Sequence, residues 1–178
     1  MMKRLLSAVI ALLVSLPAWA YSPELTQLLD ELNAQYSQTY TKGVRERYKA
    51  DITKLPYFVM HVNEQDTPEK LKLESYLTGL HNGLYDSINM QKQMNVTSWF
   101  CMRDTMIMNP KRHPDFLKDL IWSTLEKVAQ TDPEKYRGDN YSGAFMGSIN
   151  GLVLYGLQTQ YPCFKPIPKQ VQIRSFTY

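Results

Sequence analysis

Two cysteines, Cys101 and Cys163, and three histidines, His61, His81 and His113, are where a nucleophile or a metal centre would first be sought in this 178-residue chain. A nucleophilic thiol needs a base within hydrogen-bond reach, and a structural zinc needs four nitrogen or sulfur ligands at short, recurring spacings. None of the histidines has a cysteine, histidine or carboxylate at such a spacing. There is also no Gly-x-Ser-x-Gly turn and no phosphate-cradling glycine loop. The expectation is a protein that is not an enzyme and holds neither cofactor nor metal. Met102, Met106 and Met108, followed by His113, with Met90 and Met94 one turn apart, are the set that would suit Cu(I) in an oxidising compartment. Beside Trp99 and Phe100 the same thioethers fill irregular gaps in a core, and that reading is preferred.

The compartment decides what the cysteines do. Lys3 and Arg4, an apolar run from Leu5 to Leu16 and Ala18-Trp19-Ala20 read as a secretory signal peptide over residues 1–20. The run is too short to span a bilayer, so no stable membrane anchor is expected. The mature chain then starts at Tyr21 in a periplasmic or extracellular space. There, two cysteines most simply form one disulfide, Cys101–Cys163, whose 62-residue loop is worth about 4 kcal/mol in the chain-entropy account. Without Lys3 and Arg4 the chain carries 18 basic and 17 acidic side chains, with the basic ones scattered. That excludes the clustered basic face of a nucleic-acid binder.

Four segments carry the cap, stripe and stop signals of helices, and the fold expected is an all-α single domain. Ser22-Pro23 opens the first, which runs to about Ala50 with Leu25, Leu28, Leu29, Leu32 and Tyr36 on one face and a break or bend at Gly43. Leu55 to Val62 is apolar but short, and reads as an extended, strand-like arm over the core. Thr67-Pro68 opens the second helix, with Leu73, Tyr76, Leu77, Leu80, Leu84 and Ile88. Gly79 and Gly83 on it are four apart, a spacing that predicts close packing against another helix. The third helix follows His113-Pro114-Asp115 and carries Phe116, Leu117, Leu120, Ile121, Leu125 and Val128. The fourth spans roughly Asp139 to Tyr161, where Gly143, Gly147 and Gly151 share one side. Three glycines within one helix cost about 2–3 kcal/mol against alanine, so a close backbone neighbour is expected there.

Several of these pieces recur in a fixed order: Tyr76-Leu77-Thr78-Gly79 with Gly83, then Phe100-Cys101, the helix from Phe116 to Val128, and Tyr161-Pro162-Cys163. In that order they resemble the Rap1a/Tai family of type VI secretion amidase immunity proteins. The likeness covers roughly Leu71 to Cys163. It divides the chain into the signal peptide (1–20), an N-terminal helix and arm outside the family pattern (21–66), a family-like helical domain (67–163) and a tail (164–178). The resemblance implies an immunity protein that neutralises an enzyme. Such proteins dimerise and occlude the cleft of a cell-wall amidase whose Cys–His site cuts the peptide stems of peptidoglycan. The partners implied are that amidase effector and a second copy of the chain.

An inhibitor of this kind needs a held protrusion with a few strong contact residues. The polar stretch Thr131 to Asn140, between the third and fourth helices, supplies one. Its predicted partner-binding residues are Asp132, Glu134, Lys135, Tyr136 and Arg137, with Tyr136 and Arg137 as the anchors. The alternative is a helical binding module of the periplasm with an unrelated partner.

Overall fold

The structure is a computed structural model that describes residues 21–39, 43–96, 98–102, 105–137 and 143–163. The expected signal peptide, the tail, the basic residue Lys42 and the loop residues Gly138, Asp139 and Asn140 lie outside the described residues. The described chain is all-α, as its patterning predicts. Its seven α-helices are α1 (Pro23–Tyr36), α2 (Val44–Ala50), α3 (Leu55–His61), α4 (Pro68–Gln93), α5 (Phe116–Thr131), α6 (Gly143–Met146) and α7 (Ile149–Gln160). Single 3-10 turns stand at Thr105–Met108 and Pro133–Lys135.

Two of the four longer helices, α1 and α4, begin at the side-chain caps that the sequence marks. Ser22 Oγ accepts from the Leu25 N–H at 3.1 Å, and Pro23 fills the first helical position of α1. Thr67 Oγ1 accepts from the Lys70 N–H at 3.2 Å ahead of Pro68 and α4. α5 and α7 pack most extensively, burying Leu117, Leu120, Ile121, Leu125 and Val128 against Leu152, Val153 and Leu157. α1 covers α5 with Leu25, Leu28 and Leu32.

Three short helices, α2, α3 and α6, depart from the sequence expectation, each for a physical reason. The first helix stops at Tyr36, and Gly43 stands in extended backbone as the residue preceding α2. The expected extended arm is α3, a helix in the middle of the molecule that touches α1, α2, α4 and α6. Leu55, Phe58, Val59 and Val62 fall at helical spacing, and Pro56 suits a first turn. Burial on every side, rather than its own length, stabilises this two-turn helix. The expected continuous fourth helix breaks at Gly147-Ser148. The Leu55 N–H donates to the Gly147 carbonyl at 2.7 Å, and the Ile149 N–H donates to the Thr53 carbonyl at 2.8 Å. This isolated antiparallel bridge between Lys54 and Ser148 replaces helical bonds that the break removes. Ser148 then caps α7, its Oγ accepting from the Gly151 N–H at 2.9 Å.

Cys101 and Cys163 form the expected disulfide, with Cα atoms 4.6 Å apart. The Cys101 N–H also donates to the Tyr161 carbonyl at 2.8 Å, so the end of α7 is tied to the Trp99–Met102 segment twice.

Candidate binding surfaces

The turn after α5 is charged on the outside and anchored within. Asp132 ends α5, its N–H donating to the Val128 carbonyl at 2.8 Å, and the 3-10 turn carries the chain back over the bundle. Asp132 and Glu134 are exposed; Lys135 is half-buried, with its ammonium 3.5 Å from Asp132 Oδ2 and 5.7 Å from the centre of the Tyr155 ring. The two predicted anchors turn the other way. Tyr136 is wholly buried, and burial, helped by nearby Tyr155 and Asp132, pushes its hydroxyl pKa far up. Arg137 reaches back to α1, with Nε 2.7 Å from Glu31 Oε2 and Nη1 3.5 Å from Glu134 Oε1. Tyr136 is therefore an internal pin, and Arg137 is already engaged within the chain. No local periodicity marks Tyr136 as buried; its pocket comes from Gly143, seven residues on.

The glycines separate into two kinds. A Cβ on Gly143 would stand 2.6 Å from the Lys135 carbonyl oxygen and 2.9 Å from the Tyr136 ring, so Tyr136 fits only against a glycine. A Cβ on Gly147 would collide with the Gly143 carbonyl. Gly143 is close-packed against the turn at Lys135 and Tyr136, and Gly147 against the first residue of α6 rather than a second helix; Gly151 is buried in the first turn of α7 beside the Ser148 cap. Gly79 and Gly83 have nothing within 4 Å of a built Cβ and face open space, which overturns their expected helix contact. The close crossing of helices is at Gly156, which the spacing argument missed. A Cβ there would collide with Thr124 Oγ1 and approach Leu120 Cδ1 to 3.0 Å.

The residues with potential chemistry do not assemble. Both sulfurs are in the disulfide. His61 Nδ1 stands 2.9 Å from Glu64 Oε2, and its ring lies against Tyr57. The Thr67 hydroxyl, followed by His61, lowers the Glu64 carboxyl below its ordinary range. His81 is buried on α4, stacked on Phe116, its Nε2 2.9 Å from the Met108 carbonyl oxygen; burial lowers its pKa, opposed by that bond. His113 is exposed. Met108 is buried in the core, whereas Met90 is exposed on α4 and Met94 just past its end. Among the described residues no group of three histidines, cysteines or carboxylates could hold a metal ion.

A groove that no local sequence pattern marks is also present. A hollow of about 630 Å³ lies along the outer side of α5, with Leu25 of α1 and Val62 after α3 among its apolar walls. Two rings stand in its wall, Tyr21 and Trp122, with centroids 5.1 Å apart; Phe58 supports Trp122 from the core side at 5.1 Å. Three carboxylates, Asp115, Asp119 and Glu126, face it together with one cation, Lys118. Lys118 Nζ is taken by Asp115 Oδ1 at 2.6 Å. Partial burial raises the Asp119 carboxyl above its ordinary range, with Lys118 opposing and Asp115 adding. A smaller hollow of about 230 Å³ shares Val62, Asp115 and Lys118 with the first and continues toward Leu73 and Leu77 of α4. No protein-family model, curated protein or solved structure matches the chain.

Proposed function

We propose that this chain is an extracytoplasmic, immunity-type binding protein that inhibits a peptidoglycan amidase by covering its active-site cleft. The observation that carries the reading is the turn from Asp132 to Arg137: an exposed charged tip on a base held by buried Tyr136 and by the Arg137–Glu31 pair. A segment held this way loses little ordering entropy when it docks. The contact residues in this reading are Asp132, Glu134 and Lys135, with Tyr136 and Arg137 as supports. The target class rests on the ordered motifs, two of which, Phe100-Cys101 and Tyr161-Pro162-Cys163, are joined by the disulfide. A disulfide is in keeping with a periplasmic setting. No helix among the described residues is long and apolar enough to cross a membrane. Self-association belongs to the same proposal.

The test is titration of the purified protein into cleavage of peptidoglycan stem peptides by secreted peptidoglycan amidases, beginning with any encoded beside its gene. Stoichiometric inhibition is expected. The Asp132→Ala, Glu134→Ala chain is expected to inhibit about tenfold less tightly with its melting temperature nearly unchanged. Unimpaired cleavage at large molar excess refutes the reading.

A further inference from the structure

The groove on α5 has a composition that the inhibitor reading leaves unused. Its three carboxylates face one ammonium, and that ammonium is paired with Asp115. Asp119 has no ion pair or side-chain hydrogen bond among the described residues. Glu126 accepts from the Gln130 side-chain amide at 3.0 Å and lies 3.5 Å from the Ser22 nitrogen, with no cation on it. Lys118 acts on Asp119 through space, but its hydrogen-bonded partner is Asp115. Aromatic faces beside unpaired carboxylates attract an organic cation through both the ring quadrupole and the charge.

The shape narrows the ligand further. A hollow of about 630 Å³ is larger than one guanidinium needs, and it shares the Asp115–Lys118 pair and Val62 with a second, adjacent hollow that has an apolar side on α4. A free metal ion would have no use for the rings or for the apolar continuation. We infer that this trough is a docking site for an extended peptide segment of a partner protein, which lays an arginine or lysine side chain on the touching Tyr21 and Trp122 rings beside Asp119 and Glu126. The inference does not depend on the amidase reading, whose contacts lie on the turn after α5.

Fluorescence reads the site directly, because Trp122 lines it and Trp99 is the other tryptophan of the described chain. In a Trp99→Phe background the probe is the peptide acetyl-Leu-Arg-Leu-amide, with its citrulline counterpart as the neutral control. Saturable quenching by the arginine peptide, weakened by salt, is expected, with binding by the citrulline peptide about tenfold weaker or less. Asp119→Asn is expected to weaken the arginine peptide about tenfold. Lys118→Ala, which removes the competing ammonium, is expected to strengthen it, a gain that misfolding cannot produce.

Equal binding of the two peptides, or no saturation by either, overturns the proposal. So does a dimer that Asp119→Asn disperses, which would make a second copy the occupant. Tighter peptide binding by the full chain carrying Lys165→Ala, Lys169→Ala and Arg174→Ala would assign the groove to the chain's own C-terminal stretch and overturn it as well. Loss of amidase inhibition with peptide binding intact would count against the proposed function alone.

Discussion

Gly156→Ala and Gly79→Ala are the same substitution in two α-helices, and the structure requires them to act with opposite sign. At Gly156 the new methyl meets Thr124 Oγ1 at a distance no real contact allows, and Leu120 Cδ1 and Cγ at 3.0 and 3.1 Å. Neither neighbour can step aside at low cost. Thr124 donates its hydroxyl to the Leu120 carbonyl at 2.6 Å, and both side chains are buried between α5 and α7. Forcing an extra carbon into a packed core costs about 1–3 kcal/mol, while alanine gains about 1 kcal/mol over glycine in a helix. With both obstacles held, the steric cost falls in the upper half of its range, and the net loss is about 1–2 kcal/mol. In a chain of this size that lowers Tm by about 3–7 °C. Gly79 has nothing within 4 Å, so its alanine keeps only the helix gain of about 0.5–1 kcal/mol, and Tm rises by a few degrees; Gly83→Ala behaves likewise. Urea and thermal melts of the three variants measure this. Thr124→Ala in the Gly156→Ala background is expected to return part of the loss, giving a coupling of about 0.5–1.5 kcal/mol. If Gly156→Ala melts at or above the Gly79→Ala variant, the α5–α7 contact described here is wrong.

Two further outcomes separate support residues from contact residues and give a pH dependence. Tyr136→Ala empties a wholly buried ring site and is expected to cost about 3–5 kcal/mol, whereas Glu134→Ala, on the exposed tip, is expected to leave the urea midpoint within about 0.5 kcal/mol of the parent. Burial lowers the folded pKa of His81 below its unfolded value of about 6.5. Above that value both states hold a neutral imidazole and stability is full. As pH falls through it toward the folded value, the unfolded state takes the proton first and stability drops. Urea midpoints taken between pH 8 and pH 5, about the span in which histidine titrates, are expected to fall in the parent. They are expected to fall less in His81→Gln, whose amide can still donate to the Met108 carbonyl; equal slopes would refute the assignment.

Much of the fold was readable in short stretches of sequence, because those features depend on neighbours within one or two helical turns. Ser22-Pro23 and Thr67-Pro68 start helices where they stand, since the hydroxyl-to-N–H bond three residues on is made within a single turn and needs no distant neighbour. The stripes of α1 and α5 name their buried faces, and two cysteines behind an expected signal peptide suggest the disulfide that the structure shows. The groove was not read, because its walls come from α1, the residue after α3, and α5, which only packing brings together. Tyr136 looked like a surface anchor for the same reason. A tyrosine in a polar loop is buried only if the rest of the chain leaves a space for it, and that space is made by Gly143. Gly147 fits a helix by spacing, yet it ends one, because the segment from Thr53 to Leu55 offers its backbone groups from about ninety residues away. Local chemistry determined where helices begin and which of their faces are apolar. Which glycines are crowded, which polar tips face water and where a cation would dock were decided by contacts between distant segments, whose energies no local pattern carries.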